Sequence, residues 1–244
     1  MTTVPSSPAS FVLVHGAWHG GWCWERVAPL LRARGHRVTT PTLTGLGERH
    51  HLLAPGITLS VFVADIVNHL IWEDLRDVIL VGHSFGGAVI SGVADQVPER
   101  LRQLVFLDAH LLESDETTFD RMPGPIVTDR LLAAARASGG VSLPVPPARA
   151  FAVTDPADVA WLEARLTPHP LDTYRTAMTL QRPLGAGLPV RYIACTDPWY
   201  RPLEVSHDRV RAYGWPMEEL ATGHDAMVTA PQALAECLLA SVRS

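Results

Sequence analysis

Three short apolar runs, at 11–14, 78–81 and 104–107, punctuate the first half of the chain, each bounded by turn or charged residues and followed by a stretch with helical spacing. Continuous Val/Ile/Leu runs of this length fit strands buried on both faces of a parallel sheet, because crossover helices cover both sides. Segments 37–40, 190–195 and 217–220 extend the set of predicted strands. Between them, residues 24–33 (closed by Gly35), 61–75, 86–96, 207–213 (closed by Gly214) and 231–242 carry helical patterns, with glycine standing where a helix commonly ends. Strand and helix alternate, which predicts a doubly wound, mostly parallel α/β sheet.

One region interrupts the alternation. From 111 to 187 the chain has helical pieces at 129–138, 156–166 and 171–180, proline-dense connectors such as 143–147, and no convincing strand. It reads as a helical cap or lid inserted into the sheet. The expected organisation is a flexible N-terminus over 1–10, a core built from 11–110 and 188–244, and a cap over 111–187. At 244 residues the chain lies within the range of about 250 in which one core suffices. No repeat or linker marks a second folding unit.

Composition removes several function classes. A chain that is 47% hydrophobic and 18% charged has the apolar matter for a packed core and lacks the profile of a disordered one. The net charge of −5, with no clustered Lys or Arg, gives no electrostatic footprint for nucleic acid. No stretch reaches the roughly 18 apolar residues of a membrane span, and the first ten residues lack the pattern of a leader, so a cytoplasmic protein away from the membrane is expected. Cys23, Cys195 and Cys237 are widely spaced with no CxxC pair, which suggests mostly buried, reduced thiols rather than a disulfide or zinc framework. Adjacent histidines such as His50 and His51 do not readily face one ion, and no HExxH occurs, so no metal and no cofactor are expected.

The candidate chemistry starts at Gly82-His83-Ser84-Phe85-Gly86, a G-x-S-x-G sequence set directly after a predicted strand and before a predicted helix. In that context the serine occupies a sharp strained turn with its hydroxyl exposed, and the flanking glycines let strand and helix approach closely. The helix N-terminus behind it offers N–H groups to a developing oxyanion. One donor is the N–H of Phe85, the residue after the nucleophile, and a second comes from the earlier strand-to-loop segment Val14-His15-Gly16-Ala17, with Ala17 the best placed. His224, in Thr222-Gly223-His224-Asp225 after the last predicted strand, stands where a base follows in the chain order serine, acid, histidine. For the acid, Asp197 at the end of the 190–195 strand is the first choice and Asp108 at the end of the 104–107 strand the second. Asp225 and Glu204 rank below both.

These segments resemble the α/β-hydrolase superfamily, and within it the branch of plant methylesterases, hydroxynitrile lyases and bacterial pyrethroid-hydrolase-like carboxylesterases. The likeness runs through Phe11-Val-Leu-Val-His-Gly-Ala-Trp-His-Gly-Gly-Trp-Cys-Trp24, Pro41-Thr-Leu-Thr-Gly-Leu-Gly-Glu-Arg49, the serine motif and Gly223-His224, and it constrains the 111–187 region least. It implies the α/β-hydrolase fold with a sheet of about six strands. It also implies esterase rather than cyanide-lyase chemistry, because lyases of this branch place threonine, cysteine and lysine where this chain has Ala17, Phe85 and Asp225. A negative Asp225 would oppose a departing cyanide. The branch's acid usually sits in a more acidic turn than Cys195-Thr196-Asp197-Pro198, which keeps Asp108 open.

The expected reaction is two-step acyl transfer on a small to medium hydrophobic carboxylic ester, with Ser84 attacking, His224 moving the proton, and a water finishing the acyl-enzyme. Trp18, His19, Trp22, Phe151, Trp161 and Met178 are the candidate substrate contacts, on the reasoning that such pockets have apolar and aromatic walls. The expected partner is a small-molecule ester, with no nucleic acid and no membrane. Lyase, lactonase or cyclase chemistry on the same scaffold, and a non-catalytic ligand receptor, stay open as alternatives.

Overall fold

The structure is a computed structural model and describes residues 8–242. The chain runs through β1 (Ser10–Val14), α1 (Ala28–Ala33), β2 (Arg37–Thr39), α2 (Leu59–Trp72), β3 (Val78–His83), α3 (Gly86–Gln96) and β4 (Leu101–Leu107). Next come α4 (Gly124–Ser138), β5 (Ser142–Leu143), α5 (Pro156–Glu163), β6 (His169–Pro170) and α6 (Asp172–Arg175). The chain then returns through β7 (Val190–Cys195), α7 (Glu204–Ala212), β8 (Met217–Leu220), α8 (Ala226–Thr229) and α9 (Pro231–Ala240).

Six of the strands form one sheet in the order β2-β1-β3-β4-β7-β8, with every adjacent pair parallel. This is the doubly wound parallel α/β sheet that the alternation predicted. All six residues of β3 and the last four of β1 are buried, as strands covered by helices on both faces must be. Each fully buried Val, Leu or Ile is worth about 1.5–3 kcal/mol relative to exposure, so these strands form a rigid platform. The chain leaves β1 to one side for β2 and returns on the other side for β3, so the strand order reverses between β1 and β3. Open α/β sheets bind ligands at the carboxyl ends of strands where the order reverses. The loop after β1 and the turn after β3 meet there.

Several expectations about the elements are corrected. The helix expected over 24–33 is split into a 3₁₀ turn at Gly21–Trp24 and α1, because Pro29 is tolerated only in the first turn of a helix and forces α1 to start beside it. The helix expected over 171–180 stops at Arg175, where Thr176 turns extended. Its hydroxyl bonds the Asp172 carbonyl, a local alternative to continuing the helix. The segment expected to lack strands contains the two-residue antiparallel ladder of β5 and β6, Ser142 against Pro170 and Leu143 against His169. A ladder so short leaves no period in the sequence. In the same segment α5 starts as a capped helix should, with the Asp155 carboxylate accepting from the N–H groups of Ala157 and Asp158 and Pro156 at its first position.

Of the terminus expected to be flexible over 1–10, residues 1–7 lie outside the described residues, whereas Ala9 is buried and Ser10 pairs with both β2 and β3. Among the described residues no helix is long and apolar enough to cross a membrane. Cys23 and Cys195 are buried and Cys237 half-buried, all three with free thiols.

Candidate active site

Ser84 sits at the tip of the β3–α3 turn with a left-handed backbone, φ 53°, a conformation that costs a non-glycine residue roughly 1–2 kcal/mol. Neighbouring strands hold it there. Its N–H donates to the Leu107 carbonyl (3.1 Å), and its own carbonyl accepts from the N–H groups of Gly87 (3.1 Å) and His110 (2.9 Å). The turn also depends on bare glycine: a Cβ on Gly82 would lie 2.6 Å from the Gly86 carbonyl oxygen, and one on Gly16 would lie 2.9 Å from the Ser84 Cβ. The β1 loop and the serine turn are therefore in direct contact.

His224 joins this turn from across the sheet. Its Nε2 lies 2.9 Å from Ser84 Oγ and its Nδ1 lies 2.6 Å from Asp108 Oδ2. The residue that meets the histidine is thus the second-choice acid. Asp197, the first choice, is exposed, and its N–H donates to the Thr222 carbonyl (3.0 Å). The register explains the difference. His83 pairs with Leu107, and Leu107 with Ile193, so Asp108 stands at the strand end beside Ser84, whereas Asp197 is three residues further out in a loop on the far side of β4. Glu204, at the start of α7, is exposed.

Asp108 is fully buried, and its Oδ1 accepts from the Cys195 N–H (3.3 Å) and lies 3.6 Å from His207 Nε2. Burial works to raise its pKa, but His207 beside it and the hydrogen-bonded His224 outweigh it and hold the carboxyl below its usual range. An imidazole with a hydroxyl on one nitrogen and a buried carboxylate on the other can take the hydroxyl proton and keep the resulting charge neutralised. The backbone of His224 is fixed as well, since its carbonyl accepts from His83 Nε2 (3.0 Å). Burial pushes the His83 pKa down to about 3, so this donor stays neutral and in place at ordinary pH.

Ala17 and Phe85 flank Ser84 from the β1 loop and the start of α3, and among the described residues neither backbone N–H is taken up by a protein acceptor. The β1 loop is anchored by three histidines. His15 Nε2 accepts from the Leu43 N–H (3.1 Å) and its Nδ1 donates to the Gly16 carbonyl (2.8 Å). His169 of β6 accepts from the Trp18 N–H (3.3 Å). His19 donates from Nδ1 to the Ala17 carbonyl (2.7 Å) and from Nε2 to Asp225 Oδ2 (3.0 Å). Because both ring nitrogens of His19 face acceptors, both carry protons, and the pair is a buried imidazolium–carboxylate. Burial opposes charging His19, but Asp225 outweighs it and raises its pKa. Burial likewise works against the Asp225 charge, which the attraction and hydrogen bond of His19 sustain, lowering that pKa. The sequence reading set the Asp225 charge against an anionic leaving group; the structure turns that charge toward His19 and neutralises it.

The candidate substrate contacts separate into two groups. Phe151 lies parallel to the His224 ring with centroids 6.5 Å apart, and Trp18 packs on Phe151 at 5.9 Å, so both stay near the reacting groups. His19 is spent on the ion pair. Trp22 and Trp161 pack edge to face at 5.1 Å, with Arg26 and Arg165 over Trp161, and Trp22 lines a separate cavity of about 410 Å³ together with Glu48 and Arg32. Met178 packs beside Gly92 in the middle of α3, away from Ser84. Two rings escaped the sequence reading. Tyr200 stacks on His224 with centroids 4.0 Å apart, and Tyr174 stacks on Phe85 at 4.9 Å. Tyr200 comes from a loop and Tyr174 from the short helix that replaces the expected 171–180 helix, and neither position is marked by its residue type.

As possible metal ligands, His83, His224 and Asp225 bring atoms within 4.8 Å of one another. His224 has both ring nitrogens engaged by Ser84 and Asp108, so coordination by this trio requires breaking the Ser84–His224–Asp108 chain. His50 and His51 are exposed on the 3₁₀ turn Gly47–Leu52.

A family model described as the alpha/beta hydrolase family matches residues 11–237. The chain is 38% identical to the carbendazim hydrolyzing esterase of Nocardioides sp. (strain SG-4G) over 244 residues, covering 95% of this chain and 99% of that protein. It is 38% identical to methylesterase 1 of Arabidopsis thaliana over 109 residues, 44% of this chain and 41% of that one. Among solved structures, an extracellular alpha/beta-hydrolase from a Paenibacillus species, described as sharing structural and functional homology with tobacco salicylic acid binding protein 2, superposes with a TM-score of 0.82 at 27% identity, over 97% of this chain and 100% of that one.

Proposed function

The chain belongs to the alpha/beta hydrolase family, and from that premise we propose that it is a serine esterase acting on small-molecule carboxylic esters through Ser84, His224 and Asp108. The observation that carries this reading is the continuous chain from Ser84 Oγ to His224 Nε2 (2.9 Å) and from His224 Nδ1 to Asp108 Oδ2 (2.6 Å). The esterase names of the relatives support the reaction class.

Ser84 Oγ attacks the ester carbonyl as its proton passes to His224 Nε2, and the resulting imidazolium is stabilised by Asp108. The carbonyl oxygen, now an anion, is received by the N–H groups of Phe85 and Ala17, where a single such donor is worth about 10²–10³ in turnover. His224 then protonates the leaving alkoxide, activates a water and regenerates the enzyme in a mirrored second step. Residues 111–187 serve as the cap that closes over these groups, supplying Phe151 and Tyr174 as walls. The three free thiols fit a reducing compartment such as the cytoplasm.

The test is labelling with a serine-directed fluorophosphonate and mapping of the adduct by mass spectrometry, alongside turnover of p-nitrophenyl esters of graded length. The expected adduct is on Ser84, and Ser84→Ala abolishes both labelling and turnover. Full activity in Ser84→Ala refutes the assignment, and absence of turnover across the series refutes the esterase reading.

A further inference from the structure

On the hydrolase reading above, we propose that Arg130 of α4 forms an anion subsite over the reacting groups, and that the substrates are esters whose acid or alcohol portion also carries a free carboxylate. The Arg130 guanidinium carbon lies 5.2 Å from the Trp18 ring centroid and 5.4 Å from that of Tyr174. Both rings are buried next to the chemistry: Trp18 follows Ala17, and Tyr174 stacks on Phe85, the residue after Ser84. The charge is felt on several sides of the same space. It helps disfavour protonation of His110, whose N–H holds the Ser84 carbonyl, and of His169, which holds the Trp18 N–H, and it acts on the hydroxyl of Tyr200, which stacks on His224.

The guanidinium has no charged partner. The acceptors it faces are neutral, the Met122 thioether sulfur (3.5 Å) and the Tyr174 hydroxyl, the first of them weak, and among the described residues it takes part in no ion pair. Other half-buried arginines of this chain are paired, Arg209 with Glu116 and Arg191 with Glu218. A half-buried charge without an opposite charge is costly, whereas a planar five-donor fork held against two aromatic faces is pre-organised to receive a carboxylate. An anionic group on the substrate completes the pairing that the protein leaves open.

The rival role is structural: a cation stacked on two rings that only closes the cap. Methyl half-esters of straight-chain dicarboxylic acids, from succinate to suberate, separate the two when compared with the dimethyl diesters of the same acids. The readout is the ratio of kcat/KM for half-ester to diester, followed in wild type, Arg130→Gln and Arg130→Lys. In wild type the ratio is expected to favour the half-ester at one or more chain lengths and to shrink as salt screens the pair. Arg130→Gln is expected to lower that ratio by roughly 10- to 100-fold, the worth of a hydrogen bond to a charged group, chiefly through KM. Arg130→Lys, which keeps the charge and loses the planar fork, is expected to recover part of it. A ratio unchanged in Arg130→Gln, or a wild type that prefers the diester at every length, overturns the subsite while leaving the esterase reading intact. Calorimetric titration of Ser84→Ala with the half-esters separates the two claims from the other side. Binding that disappears in Ser84→Ala/Arg130→Gln, in a protein whose wild type hydrolyses neither ester, upholds the subsite and overturns the esterase reading.

Discussion

Replacing Asp108 with asparagine tests the reasoning about the acid most sharply, because the change is nearly isosteric and the structure specifies what it does. Asp108 Oδ2 accepts from His224 Nδ1 at 2.6 Å, and Oδ1 accepts from the Cys195 N–H at 3.3 Å. An asparagine there keeps its oxygen on the Cys195 N–H, which points its amide NH₂ at Nδ1. His224 must then carry its proton on Nε2, the nitrogen that faces Ser84, and it no longer accepts the hydroxyl proton. Loss of the correct tautomer in the serine-protease triad lowers turnover by about 10⁴, which corresponds to about 5.5 kcal/mol of barrier. The expected result for Asp108→Asn is a loss of that order in kcat on p-nitrophenyl acetate, with Ser84 still present and the melting temperature within a few degrees of wild type. Asp197→Asn is the matched control; because that carboxylate is exposed, its kcat is expected to stay within about threefold, in line with surface substitutions. A larger loss from Asp197→Asn than from Asp108→Asn refutes the assignment and the register argument behind it.

The His19–Asp225 pair makes a second expectation with a defined pH dependence. The folded-state pKa of His19 is raised above 6.5, so the stability it contributes is present below that value and is lost as pH rises through the folded pKa; that of Asp225 is lowered below 3.8, so its contribution is present above that value and is lost as pH falls through the folded pKa. His19→Gln leaves a buried carboxylate unpaired and is expected to cost about 3–5 kcal/mol in urea unfolding at pH 6, with part of the wild-type decline above pH 6.5 removed; equal slopes in the two proteins would count against the charged pair. Gly82→Ala places a Cβ 2.6 Å from the Gly86 carbonyl oxygen and is expected to cost about 1–3 kcal/mol by overpacking, together with a fall in kcat from displacement of Ser84. A variant with wild-type melting temperature and kcat would show that strand and helix need no such approach.

The sheet was legible because each strand is a local apolar run and each helix has a period, so 11–14, 78–81 and 190–195 marked β1, β3 and β7 within about two residues. Ser84, Phe85 and His224 were legible for a related reason, since they sit at strand ends that the same pattern locates. The aspartate that meets His224 is not decided by the sequence because two aspartates, Asp108 and Asp197, both follow predicted strands, and chain order alone does not say which strand lies beside the serine. Sheet order does, and it depends on how helices pack rather than on any local run. The wall of the site was the least legible part: Tyr200 comes from a loop and Tyr174 from a four-residue helix, Arg130 lies in a helix whose spacing does not say what its side chain meets, and His19 reads as a pocket residue although both of its nitrogens are committed.

Ser84 (φ 53°) and Asp108 (φ 40°) are both non-glycine residues in the left-handed region, and they stand at the ends of adjacent strands. Strain of this kind costs about 1–3 kcal/mol per residue and persists only where the surroundings over-determine it. Here the restraint is reciprocal. The Ser84 N–H is held by Leu107, the residue before Asp108; the Asp108 N–H is held by Ile193 of β7 (2.7 Å); and the Ser84 carbonyl is held by His110, two residues beyond Asp108. The Ser84 turn is thus braced by β4, which carries Asp108, and the Asp108 turn by β7 and by the Ser84 carbonyl. Asp197, in the β7–α7 loop, is braced instead against the Thr222 carbonyl, on the side of β7 away from β4, and a histidine whose Nδ1 partner moves by an ångström loses the alignment on which proton transfer depends. At the end of β4 the carbonyl that holds the serine turn, Leu107, is directly followed by the carboxylate that meets His224 Nδ1, so one strand end positions both the serine and the partner of its histidine.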